Sequence, residues 1–149
     1  MPGFNRIRPA KIEDADSLGM CMQAAYSPYL LRLGVQSLPP MEADYRDEID
    51  SYPCWVVEAD GRIVGGLIMT LDTERAGIAN IAVDPQYQGR GIGGELMRFA
   101  ESRARQAGYR EIHLATHALL SENISLYRHF GFHQCGRSGE RVFMSRTLD

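Results

Sequence analysis

One segment of the chain joins a glycine-rich loop to the predicted start of a helix, and this combination can bind an anion. Residues 80–97, NIAVDPQYQGRGIGGELM, indicate a strand, a loop and an amphipathic helix. Glycine lets the backbone approach a ligand closely, and the first turn of a helix presents unpaired N–H groups at the positive end of the helix dipole. We therefore predict that Gly91, Gly93 and Gly94 bind a phosphate or pyrophosphate group, to which Arg90 adds a cation.

The same glycines also fit the G-x-G-x-x-G pattern of dinucleotide-binding folds, at Gly89, Gly91 and Gly94. That pattern is expected directly after a strand, with an acidic residue about 20 positions further on. Here residues 84–88 separate the strand from the glycines, and the downstream segment IHLATHA contains no acid. The Gly-Lys-Ser/Thr of a P-loop is missing as well. An enzyme that uses NADH or ATP is therefore the weaker alternative.

Two motifs of the chain together resemble the GNAT superfamily of N-acetyltransferases. The pyrophosphate loop of that family reads Gln/Arg-x-x-Gly-x-Gly/Ala, which Gln88, Gly91 and Gly93 match. Residues 122–132, ENISLYRHFGF, are similar to the ENxxLYxxxGF segment of the family. The resemblance implies an α/β (α+β) fold with a mixed, mostly antiparallel central sheet. Helices flank this sheet, and its strands splay apart at the acetyl-CoA site.

The resemblance also implies which residues bind the cofactor. In the family, the strand before the glycine loop splays from its neighbour, and the pantetheine arm lies in the gap like an added strand held by main-chain hydrogen bonds. The cofactor is then bound by this strand, by the loop with the helix start, and by one residue of the second motif. These residues are Ile81, Ala82, Val83, Gln88, Gly89, Arg90, Gly91, Ile92, Gly93, Gly94 and Asn123.

Tyr127 matches the proton donor of the family. A phenol with an ordinary pKa near ~10 stays protonated at neutral pH, so it can form a hydrogen bond to the sulfur as the thiolate departs. Asn123 lies four positions earlier, on the same helix face. Many family members have this Asn seven positions before the Tyr, where the present chain has Leu120. Cofactor contact and simple helix capping or exposure both stay open for Asn123.

The chain departs from the family most clearly at the general base. Relatives often carry an acid on the strand before the glycine loop, or a Glu in an L-E-T-H run that here reads LATH, with Ala115 at the Glu position. His117 is the first candidate and His113 the second, because imidazole titrates near neutral pH and strand alternation places both on one face. If His117 is the base, His117→Ala should flatten the acidic limb of the pH profile of kcat/KM. A water chain or a partly neutral amine needs no dedicated base. Three further candidates lie in less regular parts of the chain: Glu74, Tyr45 and Asp47.

The elements that must position these residues alternate between strands and helices, which predicts a mixed sheet with helices packed on it. The predicted strands are residues 5–8, 54–58, 62–71, 77–83, 111–116, 132–135 and 141–144. The predicted helices are residues 13–27, 42–49 and 122–130, together with one that follows the glycine loop and ends at Gly108. We expect Pro28 to end the first helix and Ser121 to cap the last.

Composition limits the class of protein. With 149 residues, 44% of them hydrophobic and 23% charged, the sequence suits one globular domain over residues 1–149. A net charge of −3 argues against a nucleic-acid partner, and no apolar stretch reaches the length of a membrane span. No signal-peptide core is visible at the N-terminus. Cys21, Cys54 and Cys135 include no C-x-x-C pair, so we expect three buried thiols, no metal site and a cytoplasmic protein.

These observations favour an acyltransferase that uses acetyl-CoA and acts by direct attack of an amine within a ternary complex. The rival is a non-catalytic acyl-CoA-binding or sensor module of the same fold, which the missing acid and the shifted Asn favour and Tyr127 opposes. The amine acceptor is unidentified, and a homodimer is left open. Loop residues suggest an acidic, aromatic-edged acceptor site, with ordinary loop packing as the alternative: Tyr29, Met41, Glu42, Asp44, Tyr45 and Asp47.

Overall fold

The computed structural model describes residues 6–72 and 74–149, and a seven-stranded sheet forms its centre. The strands are β1 (Ile7–Pro9), β2 (Cys54–Ala59), β3 (Arg62–Leu71), β4 (Ala76–Val83), β5 (Glu111–His117), β6 (His133–Ser138) and β7 (Arg141–Thr147). They follow the order β1-β2-β3-β4-β5-β7-β6, and β4 with β5 is the parallel pair in an otherwise antiparallel arrangement. The predicted mixed, mostly antiparallel sheet is therefore confirmed. Asn5 of the first predicted strand lies outside the described residues.

Helices cover both faces of the sheet. They are α1 (Ala15–Tyr26), α2 (Leu30–Leu33), α3 (Pro39–Glu42), α4 (Tyr45–Ser51), α5 (Ile92–Gln106) and α6 (Ser121–His129). On one face, buried α1 side chains such as Leu18 and Met22 pack with Val56 and Ile68 of the sheet. On the other face, α5 packs its apolar stripe against the opposite side chains of the same strands. Two apolar layers thus hold the sheet between helices.

The segment between α1 and β2 differs from the sequence prediction. Pro28 does not end the helical backbone, because it lies in a 3-10 turn, Ser27–Tyr29, that leads directly into α2. Proline is tolerated in a first turn, where its missing N–H has no partner to lose. The helical path ends at Gly34, whose φ of 68° is left-handed. The predicted helix 42–49 is divided into α3 and α4, because Asp44 caps α4 by accepting from the N–H groups of its first turn.

Two smaller expectations near the C-terminus are wrong. Leu120, not Ser121, occupies the cap position of α6, and Ser121 is the first residue of that helix. Cys135 is exposed, whereas Cys21 and Cys54 are buried. Cys135 lies on β6, which forms an outer edge of the sheet and carries mostly exposed residues. A small apolar residue is therefore no guide to burial on an edge strand.

The strands β4 and β5 part in the middle of the sheet. Only residues 76–78 of β4 pair with β5, opposite residues 112–114. Beyond Ile78, β4 continues to Val83 with β3 as its partner on the other side. The β3–β4 register slips by one residue at Ala79, and such a bulge increases local twist and redirects side chains. The sheet therefore opens on the side of β4 that faces the C-terminal strands.

Candidate active site

A cleft of about 500 Å³ lies where β4 parts from β5. Its walls come from four parts of the chain: the end of α1, the second half of β4, the glycine loop with the start of α5, and α6. The lining residues are Ala25, Tyr26, Tyr29, Ile81, Ala82, Val83, Tyr87, Gln88, Gly89, Gly91, Ile92, Gly93, Gly94, Met97, Glu122, Asn123, Leu126, Tyr127 and Phe130. Eleven of the thirteen residues predicted from the sequence are among them, and Arg90 and His117 are not.

The glycine loop is shaped to receive an anion at the start of α5. Gly89 and Gly91 have φ values of 80° and 83°, which other residues rarely adopt, and the space that a side chain would enter at either position is open. The first hydrogen bond within α5 runs from the Glu95 N–H to the Gly91 carbonyl oxygen, at 3.0 Å. The N–H groups of residues 92–94 therefore have no acceptor within the helix, and they lie at the positive end of its dipole. This arrangement fits a phosphate or pyrophosphate group.

Two polar side chains of the loop make contacts within the protein. The Arg90 guanidinium carbon lies 4.7 Å from the centre of the Tyr87 ring, a cation–π contact in which Tyr87 lines the cleft and Arg90 does not. Gln88 donates from Nε2 to the Val83 carbonyl oxygen at 3.3 Å. Gln88 thus connects the loop to the end of β4. The predicted cofactor roles of Arg90 and Gln88 stay predictions.

Tyr127 projects from α6 into this cleft with its hydroxyl protonated. Its ring packs edge-to-face on Phe132, with the centroids 6.2 Å apart. Burial, together with a smaller effect of the neighbouring Tyr29, raises the pKa of Tyr127 to about 12. Among residues 6–72 and 74–149, no side chain or carbonyl forms a hydrogen bond with the Tyr127 hydroxyl. The hydroxyl is therefore a proton donor with its proton still available.

Asn123 lines the cleft one helical turn before Tyr127. The cap of α6 has no side-chain hydrogen bond, so Asn123 does not serve as a helix cap. Of the two interpretations that the sequence left open, capping is thereby removed. Contact with a cofactor stays a prediction that the position of Asn123 permits.

The histidines on β5 make contacts elsewhere. Nδ1 of His117 accepts from the N–H of Leu119 at 3.1 Å, and Nε2 of His113 lies 3.0 Å from a carboxylate oxygen of Glu111. Neither ring is among the described lining of the cleft, and the same is true of the loop candidates Glu74, Tyr45 and Asp47. Strand alternation placed both histidines on one face of β5, but sharing a face does not bring either ring into the lining of the cleft.

For this reason we expect His117→Ala to leave the acidic limb of the kcat/KM profile unchanged, in contrast to the expectation from sequence. The substitution removes only a turn contact with Leu119, for which a small loss of stability, about 1 kcal/mol, is typical. Initial rates measured across the acidic pH range give the acidic limb of the kcat/KM profile. If the variant has the wild-type melting temperature but a flattened acidic limb, His117 acts as the general base.

Two further aromatic side chains, from the end of α1 and the turn after it, line the cleft. Tyr26 and Tyr29 contact each other edge-to-face, at 6.3 Å between centroids. Glu122 is the carboxylate among the described lining residues, and it accepts from Arg32 at 2.6 Å. This ion pair joins α2 to α6 and lowers the pKa of Glu122. Glu122 is thus already paired and is a weak base.

The predicted acidic acceptor site is not assembled at the cleft. Of its six suggested residues, only Tyr29 lines it. Tyr45, Met41 and Asp44 instead line a separate open hollow beside α1. The sequence analysis also missed the role of Asn80, whose Oδ1 accepts a hydrogen bond from the hydroxyl of the cleft residue Tyr26 at 2.7 Å. That contact joins residues 54 positions apart, so no local spacing pattern could reveal it.

Among the described residues, no helix is both long and apolar enough to cross a bilayer. The same part of the chain contains no cluster of three or more His, Cys, Asp or Glu side chains placed to hold a metal ion.

Comparison with known proteins gives consistent matches. A profile described as the Acetyltransferase (GNAT) family matches residues 21–132. The uncharacterized N-acetyltransferase YjgM of Escherichia coli K12 is 33% identical over 82 residues, which cover 52% of this chain and 49% of YjgM. Streptothricin acetyltransferase of Streptomyces lavendulae is 34% identical over 92 residues, covering 60% of this chain and 49% of that protein. The chain thus matches about half the length of these curated relatives.

Solved structures show the same fold. The PaiA N-acetyltransferase of Thermoplasma acidophilum, crystallised in complex with coenzyme A, superposes with a TM-score of 0.83. The match covers 95% of this chain and 98% of the other, at 22% sequence identity. At that identity the likeness concerns the fold, and the coenzyme A belongs to the Thermoplasma structure.

Proposed function

Because the chain belongs to the Acetyltransferase (GNAT) family, we propose that it is an acetyl-CoA-dependent N-acetyltransferase acting on an amine of a small molecule or a protein. The observation that carries the proposal is the meeting of three features in one cleft. These are the unpaired second half of β4, the N-terminus of α5 with its glycine loop, and the Tyr127 hydroxyl. Together they suit a ligand that has a pyrophosphate at one end and a reactive sulfur at the other.

In this proposal the backbone binds most of the cofactor. The N–H groups of residues 92–94 hold the pyrophosphate, and Gly89 and Gly91 keep side chains out of its way. The main chain of residues 81–83 has no strand partner on the β5 side, so it can pair with an extended arm in the manner of an added strand. Asn123 and Ile92 contribute contacts from the facing walls.

Acetyl-CoA supplies an electrophilic thioester and a thiolate leaving group. The amine attacks directly, so no residue of the chain carries the acetyl group. A backbone N–H of β4 polarises the acetyl oxygen, which is favourable because a fixed dipole needs no reorganisation. Tyr127 gives its proton to the sulfur and recovers one from solvent. In this scheme the protein accelerates the reaction by positioning the amine against the thioester and by stabilising the charge that develops on the acetyl oxygen and on the sulfur.

No dedicated base is assigned to the chain. Among the described lining residues, Glu122 is bound to Arg32, and the histidines of β5 are absent. The amine, which is already partly neutral, loses its proton to water. The proton balance of the reaction is then complete without a basic side chain. We further propose that the protein acts in the cytoplasm, which its free thiols at Cys21 and Cys54 permit.

A binding or sensor module of the same fold is the second candidate. The missing acid at Ala115 favours it, since family members often use a residue there as base. The protonated Tyr127 hydroxyl, directed into the cleft without a partner among the described residues, favours catalysis. The two functions differ in whether acetyl-CoA is consumed.

We expect CoA and acetyl-CoA, but neither NADH nor ATP, to raise the melting temperature. The site as described has unpaired strand backbone for a pantetheine arm, which the two nucleotides lack. Differential scanning fluorimetry with equal concentrations of the four ligands measures this selectivity. CoA release from acetyl-CoA is then followed with a panel of amines, and mass spectrometry identifies the acetylated product.

Stabilisation by acetyl-CoA together with amine-dependent CoA release supports the enzyme. Stabilisation without release on every amine tested supports the sensor module. Stabilisation by NADH or ATP instead would contradict the assignment of the loop, because a different phosphate ligand would then fit the site better.

A further inference from the structure

A hydrogen bond joins the wall of the cleft to the strand behind it. The Tyr26 hydroxyl donates to Oδ1 of Asn80 at 2.7 Å. This bond connects α1 to β4. The Tyr45 hydroxyl on α4 is engaged separately, because it donates to the Pro40 carbonyl oxygen.

The direction of the Tyr26–Asn80 bond determines what Tyr26 can offer a ligand. An amide oxygen can only accept, so the Asn80 contact takes the single proton of the Tyr26 hydroxyl. Tyr26 lines the cleft but has no proton left for a ligand. It can offer the cleft only the lone pairs of its oxygen.

Tyr26 also lies near the reactive end of the cleft. It follows Ala25 at the end of α1, and its partner Asn80 lies directly after the Ala79 bulge, where β4 parts from β5. Tyr26 and Tyr127 line the same cleft, and Tyr127 is close enough to raise the pKa of Tyr26, after the larger effect of burial. A nucleophile that attacks beside the Tyr127 hydroxyl therefore approaches the Tyr26 oxygen.

We propose that the Tyr26 oxygen accepts a hydrogen bond from an N–H of the acceptor amine, and that Asn80 fixes this polarity as a positioning residue. This inference rests on the proposed function. An acceptor at this place holds an N–H and leaves the nitrogen lone pair free to attack, whereas a donor would bind that lone pair and block it. The site thus selects a primary or secondary amine that keeps an N–H to give.

The test uses Tyr26→Phe and Asn80→Leu with a panel of primary alkylamines, aralkylamines and a peptide with a free N-terminus. Tyr26→Phe should raise the KM for the amine and lower kcat/KM about 3–10-fold, the size typical of one neutral hydrogen bond. The Kd for acetyl-CoA should not change. Tyr52→Phe is the matched control, since Tyr52 is exposed at the end of α4 and outside the cleft lining.

The double variant separates a positioning role from a structural one. Asn80→Leu alone frees the Tyr26 proton and should give a similar loss. In the Tyr26→Phe background, Asn80→Leu should cost almost nothing more, because it acts only through the hydroxyl that is already gone. If Asn80→Leu does not fold, Asn80→Ala replaces it in the cycle, since it also removes the oxygen that takes the Tyr26 proton.

The outcomes distinguish this inference from the proposed function. An unchanged amine KM in Tyr26→Phe, or an equal loss from Asn80→Leu in both backgrounds, overturns the inference and leaves the enzyme in place. A wild-type protein that binds acetyl-CoA but acetylates no amine overturns the proposed function, and the role of Tyr26 with it. That result is seen before any substitution is made.

Discussion

Gly93→Asp is expected to abolish the binding of acetyl-CoA and to leave the fold intact. Gly93 is the second residue of α5, and a Cβ there would meet only the Val83 side chain at 3.9 Å, an ordinary contact. A carboxylate in the first turn also suits the helix dipole, so folding should not suffer. The same carboxylate occupies the N–H groups meant for the pyrophosphate and repels its charge.

The effect is measured as loss of a thermal shift. With acetyl-CoA at ~100 times its Kd, the wild-type protein gains about 2.7 kcal/mol, which for a domain of this size corresponds to roughly 5–10 °C in Tm. The Asp variant should show no shift. Gly93→Asn, of equal size and without the charge, is the matched control and should keep part of it. A folded Asp variant with normal binding would remove the glycine loop from the site.

Tyr127→Phe should lower kcat and kcat/KM together and hardly alter the Kd for acetyl-CoA. The ring keeps its packing on Phe132, and the lost hydroxyl has no partner among the described residues, so stability should change little. A thioester sulfur is a poor acceptor in the ground state and gains charge only as the bond breaks. General-acid catalysis contributes roughly 10²–10⁴-fold, and a thiolate leaves readily, so we expect about 100-fold or less.

Two further measurements bear on the role of Tyr127. The loss should shrink with a thioester of a more acidic thiol, which needs less help to depart. Because burial raises the pKa of Tyr127 to about 12, its donor form is lost only above that pH. Wild-type kcat should therefore show no alkaline decline from this group below about pH 10. Full kcat in Tyr127→Phe on every acceptor, or a loss of cofactor affinity alone, would reduce Tyr127 to a packing residue.

The sequence predicted the parts of the site that are continuous in the chain. The loop from Gln88 to Gly94 and the helix with Tyr127 are each encoded within a dozen residues, because turn glycines, cap positions and helical spacing are local properties. The same reasoning predicted most of the strands of the sheet, among them the two strands that the Asp60-Gly61 turn joins in the structure. Both residues of that turn have positive φ values in the structure.

What the sequence could not predict depends on contacts between distant segments. The hydrogen bond between Tyr26 and Asn80 requires α1 to lie across β4, and no periodicity in either segment predicts that arrangement. The position of His117 outside the cleft lining was hidden from the sequence for a related reason. Alternation tells which side chains share a face of a strand, but only the packed sheet decides what that face meets.

The parting of β4 and β5 also bears on aggregation. Unpaired strand backbone is a template on which another chain can add itself. Here that template lies inside the sheet, between α6 and the start of α5. One outer edge, β1, has three residues and ends in Pro9, which cannot donate to a neighbour. The unpaired backbone that the proposed chemistry uses therefore lies at an internal position of the sheet and not along an outer edge strand.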